Sequence, residues 1–149
     1  MTPPLRLVVD IQVLLSGVTS PHGPAHDLWQ AALRFDVVLV LAEGHFSELV
    51  RVLTYPQVLV LGGGKLTPSL SFQFANQLFQ VGEYYPRLPA SAWPSCPDPK
   101  DWYLLDLLVA SGADALISKD RHLLKLREAL GLMVLEPREL LRHGFGSAQ

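Results

Sequence analysis

Residues 97–124, PDPKDWYLLDLLVASGADALISKDRHLL, decide the fold. Asp98-Pro99-Lys100-Asp101 has the form of a helix start. An acid stands at the N-cap, a proline with fixed φ takes the first helical position, and a second acid follows within the first turn. The helix runs to Gly112, and residues 113–118 then form a short, mostly apolar strand. That strand delivers Lys119-Asp120 just beyond its C-terminal end, before another helix over residues 122–130. Asp101 and Asp120 therefore share one rim of an α/β unit, the rim at which open parallel sheets bind ligands and do chemistry.

Upstream, residues 5–10 (LRLVVD) are a short apolar run ending in an acid, and the continuous apolarity of Leu7-Val8-Val9 fits a strand buried on both faces of a parallel sheet, with Asp10 at its C-terminal end. Residues 16–24 carry Gly17, Pro21, Gly23 and Pro24 and read as a loop leading to a helix over 25–33. Residues 36–41 (DVVLVL) make a second buried strand. A helix over 43–53 follows, with Phe46, Leu49, Val50 and Leu53 at helical spacing and Tyr55-Pro56 closing it. Gly62-Gly63-Gly64 reads as a hinge, since the Gly-Lys-Ser/Thr ending of a phosphate loop is missing. Thr67-Pro68 opens a helix to about Phe79 whose stripe is Phe72, Ala75, Leu78 and Phe79, a face for packing in the core or against a second copy. Tyr84-Tyr85 belong to a short third strand and residues 86–97 to a proline-bearing connection. Residues 132–135 (LMVL) form the last strand, and Glu136-Pro137 start a final helix. Alternating strands and helices predict one α/β domain over residues 1–143, an α/β/α sandwich around a parallel sheet, with 144–149 as a flexible tail.

A chain of 149 residues that is 49% hydrophobic suffices for one domain with a real core. Its net charge of -2 excludes gripping nucleic acid by bulk electrostatics, so any such contact is local. Lys119, Arg121, Lys125 and Arg127 supply one local cluster around His122, and Lys100 lies beside Asp101. The single cysteine, Cys96, rules out an intramolecular disulfide framework and a cysteine-based zinc site. No apolar run approaches the roughly 20 residues that span a bilayer, and the N-terminus leads straight into a strand, so the expected location is the cytoplasm.

Asp10, Asp101 and Asp120 reach one rim independently. Carboxylates gathered without neutralising partners repel each other, so such a cluster persists by sharing protons or binding cations. Mg²⁺ and Mn²⁺ prefer oxygen ligands, keep several waters, and can activate water and clamp phosphate oxygens. Structural roles compete for each acid: Asp98 fits an N-cap better than a ligand, Asp101 suits the helix dipole, and Asp120 can cap the next helix. Glu48 falls nearly opposite the stripe of its own helix, and pattern alone does not select it. Asp106 lies about 140° around and about 7.5 Å along the helix from Asp101, too far to share one metal naturally, and fits an outer supporting role or an exposed edge. The five histidines show no ligand pair beside an acid, and Gly-x-Ser-x-Gly is absent.

In this order the acids resemble the PIN-domain family, particularly its small bacterial branch of toxin components. Asp98-Pro99-Lys100-Asp101, residues 112–120 (GADALISKD) and His122-Leu123-Leu124 look like that branch's DPxD, GADxLVTxD and xLL segments. Ser47-Glu48-Leu49 with residues 52–56 (VLTYP) resembles its AEL...VLxxP helix. The resemblance implies a sheet of about five parallel strands, frequent dimers and a Mg²⁺ or Mn²⁺ site at Asp10, Glu48, Asp101 and Asp120 that cleaves single-stranded RNA. Ser118 matches the residue before the last acid, and Gln12, Ser118 and Asp98 stand as supports around the site. Lys100, Lys119, Arg121 and Lys125 are the expected RNA contacts, and an antitoxin protein is the expected partner. One departure is local: the family's Thr-Asn or Ser-Asn after the first acid is here Ile11-Gln12. Losing such supports typically costs about 10- to 100-fold in metal affinity or activity, and Ile11→Thr with Gln12→Asn is expected to restore it. The alternative is a catalytically weakened module that binds RNA or a protein. A receiver-like or phosphatase-like domain also places acids at strand ends, but the phosphatase version needs an acid where Gln12 stands.

Overall fold

The structure is a computed structural model, and it describes residues 3–53 and 68–144. β1 (Leu5–Val9) leads into α1 (Ile11–Thr19), α2 (Pro24–Leu33), β2 (Val37–Ala42) and α3 (Glu43–Leu53). α4 (Pro68–Val81) runs directly into β3 (Gly82–Tyr85). A 3-10 turn (Pro99–Asp101), α5 (Trp102–Ser111) and β4 (Ala115–Ile117) make the central unit. α6 (Arg121–Leu124), α7 (Leu126–Leu130), β5 (Val134–Leu135) and α8 (Pro137–His143) complete it.

The sheet has five strands, all parallel, in the order β3-β2-β1-β4-β5. This is the α/β/α sandwich expected. Alternate residues of each strand feed opposite cores. Leu7, Val9, Leu39, Leu41 and Ile117 pack with α1 to α4 and α8, while Val8, Val40, Leu116 and Val134 pack under α5 to α7 and the 86–97 connection. β1 lies at the centre, with β2 on one side and β4 on the other. The chain fills the first side before crossing to the second, so the end of β1 is the topological switch point of the sheet.

Three local expectations are corrected. Residues 16–19 belong to a helix that begins at Ile11, because Asp10 caps it by accepting from the Gln12 N–H and because Ile11, Val13, Leu14 and Leu15 are all buried. Gly17 marks a close approach instead of a break: a Cβ there would stand 2.5 Å from the Ala25 carbonyl oxygen of α2. The α4 stripe divides. Leu78 is buried and Ala75 packs against the core, but Phe72 and Phe79 are 72% and 54% exposed. Phe74 takes the inward place, with its ring 5.2 Å from that of Trp29. The helix read over 122–130 is two short ones, joined at Lys125. The Gly62-Gly63-Gly64 hinge, the Tyr55-Pro56 stop and the Thr67 cap lie outside the described residues, as does the tail beyond Gly144.

Candidate functional site

Asp10 stands at the switch point, directly after β1, and only 7% of it is exposed. Its Oδ2 accepts from the Ser118 hydroxyl at 2.9 Å and its Oδ1 from the Gln12 N–H at 3.2 Å. Burial still pushes its carboxyl above the usual range, and Asp120 pushes in the same direction. Ser118, wholly buried after β4, also accepts from the Asp120 N–H at 3.0 Å, so one hydroxyl links the Asp10 carboxylate to the Asp120 backbone. Asp120 is cap and rim acid together, because its Oδ1 accepts from the His122 N–H that starts α6.

Asp101 closes the 3-10 turn that Asp98 caps through the Lys100 N–H, as expected for Asp98. Its carboxyl is pushed up to about 7, first by burial and then by Asp10, Asp120, Asp98 and Glu48. Glu48 is also raised, chiefly by burial and then by Asp10, against a lowering hydrogen bond from Tyr103. The Tyr103 hydroxyl donates to Glu48 Oε2 at 2.8 Å, and Arg51 lies 3.7 Å from Oε1. Glu48 reaches this place because α3 turns His45, Glu48, Leu49 and Val52 toward the protein, while Val50 of the expected stripe is 64% exposed. Two of the inward residues are polar, which is why hydrophobic spacing chose a neighbouring face.

The structure thus brings Asp10, Glu48 and Asp120 within electrostatic range of Asp101, and Asp10 within range of Glu48 and Asp120. All four are hard oxygen donors, and their repulsion is what a divalent cation would relieve, so the donor chemistry fits Mg²⁺ or Mn²⁺. The arrangement is open: among the described residues no three of His, Cys, Asp and Glu stand close enough to enclose an ion. Ser118, the Gln12 N–H, the His122 N–H and Tyr103 direct the carboxylates instead. Gln12 supports Asp10 through its backbone while its side chain is exposed, and Ile11 is wholly buried. The support expected from side chains at those two positions therefore comes from elsewhere.

The four expected RNA contacts line three different clefts. Arg121 and Lys125 border an open cleft of about 780 Å³ on α6 and α7. Lys119 lines another with Arg138, and Lys100 lines a third of about 260 Å³ with Ser47, Glu48, Arg51 and Tyr103. Arg127 lines the same cleft as Arg121 and Lys125, with its guanidinium donating to the Val134 carbonyl and to Glu139. Asp106 is neither an exposed edge nor a support of the acids: it is buried and accepts from Trp93 Nε1 at 3.0 Å and the Ser91 N–H at 3.4 Å. His45 and Tyr103 escaped sequence reasoning. The available signals were a histidine three residues before Glu48 and an aromatic two residues after Asp101.

A family model described as PIN domain matches residues 6–122, a span that includes all four acids. No curated protein matches the chain.

Proposed function

We propose that this chain, which belongs to the PIN-domain family, is a metal-dependent endoribonuclease hydrolysing phosphodiester bonds of single-stranded RNA. PIN domains are typically nucleases and commonly use divalent metals. The observation that carries this function is the gathering of Asp10, Glu48 and Asp120 around Asp101 at the switch point of the sheet, with Ser118 bonded to the Asp10 carboxylate and to the Asp120 N–H. Asp10, Glu48, Asp101 and Asp120 would hold Mg²⁺ or Mn²⁺. When bound, such an ion supplies charge neutralisation at phosphate oxygens and makes a water more acidic. Ser118 ties the Asp10 carboxylate to the Asp120 backbone and the His122 N–H holds the Asp120 carboxylate, so that neither need reorganise as charge develops on the phosphate. Lys100, Lys119, Arg121 and Lys125 draw the RNA backbone toward an acidic rim that would otherwise repel it.

The catalytic domain covers residues 1–143, and the protein works in the cytoplasm as the toxin of a toxin-antitoxin pair. Among the described residues no helix is long and apolar enough to cross a membrane. A homodimer would use the face on which exposed Phe79 stacks against Phe46 at 4.3 Å, beside exposed Phe72 and Val50. A second reading, a weakened module that binds RNA or a protein, is favoured by the open arrangement of the acids, no three of which enclose an ion among the described residues, and by the Ile11-Gln12 departure.

Calorimetric titration with Mn²⁺, paired with cleavage of an end-labelled single-stranded RNA, tests the proposal. Saturable metal binding and cleavage lost in Asp120→Asn are expected. RNA binding without metal binding or cleavage would establish the module instead.

A further inference from the structure

Beneath the acidic rim, one imidazole joins the elements that deliver it. His45 is wholly buried, its Nδ1 accepts from the Ala42 N–H at 3.1 Å, and its Nε2 lies 2.9 Å from the Val9 carbonyl oxygen. An amide N–H can only donate, so Nδ1 is bare and Nε2 carries the proton it gives to Val9. Ala42 ends β2, and Val9 ends β1 one residue before Asp10. The ring therefore pins the first turn of α3 to the ends of two strands. Tyr103 packs edge-on against it, with centroids 5.3 Å apart and an interplanar angle of 84°. The same phenol ring presses on Gly44, where a Cβ would fall 2.4 Å from ring carbons. Held on these two sides, Tyr103 presents its hydroxyl to Glu48 Oε2.

We propose that Tyr103 is a positioning residue: seated on Gly44 and His45, it orients the Glu48 carboxylate for cation binding. This inference rests on Glu48 being a metal ligand. A hydroxyl bound to an ionised carboxylate is among the stronger hydrogen bonds, and it fixes which oxygen faces α5. Removing such a partner of a ligating carboxylate typically weakens metal binding by about 10- to 100-fold. The chain itself makes the contact possible, because any residue but glycine at position 44 would displace the phenol.

The test is Tyr103→Phe in the full chain, which keeps the ring and deletes only the hydroxyl. Mn²⁺ affinity by calorimetry is expected to fall by about 10- to 100-fold. The thermal unfolding midpoint, which reports packing, should move little. The decisive comparison repeats the substitution in a Glu48→Gln background, where it should have no further effect on Mn²⁺ affinity. Equal losses in both backgrounds would show that Tyr103 does not act through Glu48. Unchanged affinity in the single variant, with wild type binding Mn²⁺ normally, would overturn the positioning role and leave the nuclease proposal standing. Wild type that binds no Mn²⁺ would overturn both.

Discussion

Asp101 is the residue at which the cost of assembling the site is concentrated. Its carboxyl has an ordinary value of 3.8 and is pushed up to about 7, so the folded protein holds a proton there that the unfolded chain has released. Between those values the native state binds more protons than the unfolded one, and stability falls as pH rises. Below about pH 4 both states are protonated and the penalty vanishes; above about 7 it is complete. His45, lowered to about 4, acts in the opposite sense over part of the same window, contributing stability above its unfolded value of 6.5 that is lost as pH falls through 4. Asp101→Asn should isolate the first effect: metal-free variant and wild type should match near pH 4, and the variant should be the more stable at pH 8. Chemical denaturation across that range would show it, and parallel curves would deny the repulsion. A second expectation concerns Ile11 and Gln12. Ile11→Thr places a hydroxyl in a wholly buried site and should destabilise by about 1–3 kcal/mol, without the gain in metal binding that the family's Thr-Asn pair suggested. Gln12→Asn should be close to neutral, since the bond to Asp10 comes from the backbone. Tighter Mn²⁺ binding in the double variant would restore the idea that side chains at 11 and 12 support the acid.

At the scale of elements, what the sequence disclosed depended on how apolar each face is. β2, β4 and the Leu7–Val9 part of β1 are buried on both sides, and their apolar runs gave them away to within a residue or two. α3 misled, because the face it buries carries His45 and Glu48, and a polar side chain that is satisfied inside looks the same in sequence as one that is solvated. α1 was missed for a related reason: Gly17, a breaker by composition, is needed for the backbone approach to α2. The 86–97 connection shows no periodicity at all, and what fastens it is a side chain on another element. Asp106 of α5 accepts from Trp93 and Ser91, tying that connection over the sheet before it enters the Asp98 cap and Asp101. Asp106→Ala would remove the partner of a half-buried indole N–H, with a loss of about 0.5–1.5 kcal/mol. Limited proteolysis should then cut within residues 86–97 faster than in wild type, whereas unchanged cleavage there would show that the packing of Trp93 and the bond from Trp102 Nε1 to the Cys96 carbonyl suffice to secure the connection.

Over the whole molecule, three acids were legible because topology puts them at one rim. Asp10 follows β1 at the switch point, Asp120 follows β4 beside it, and Asp101 opens the helix that precedes β4. The fourth, Glu48, needed the family resemblance, and the distribution of cations was not legible at all, since contiguity in sequence says nothing about which cleft a side chain lines. That distribution determines how RNA should run. Lys100 and Arg51 border the cleft beside Glu48, whereas Arg121 and Lys125 border another on α6 and α7, so a strand that touched both would meet positive charge in two separate places. Each phosphate contact on a single strand contributes about -0.7 to the slope of log affinity against log salt. Arg121→Ala with Lys125→Ala should therefore weaken binding of a single-stranded oligonucleotide and flatten the slope by about 1.4 if both side chains touch phosphates. Lys100→Ala should take a further step of about 0.7, additive with the first pair because the clefts do not share these residues. If the pair matters and Lys100 does not, the RNA enters from the α6 side and ends at the acids; if neither changes the slope, the backbone is held by other residues.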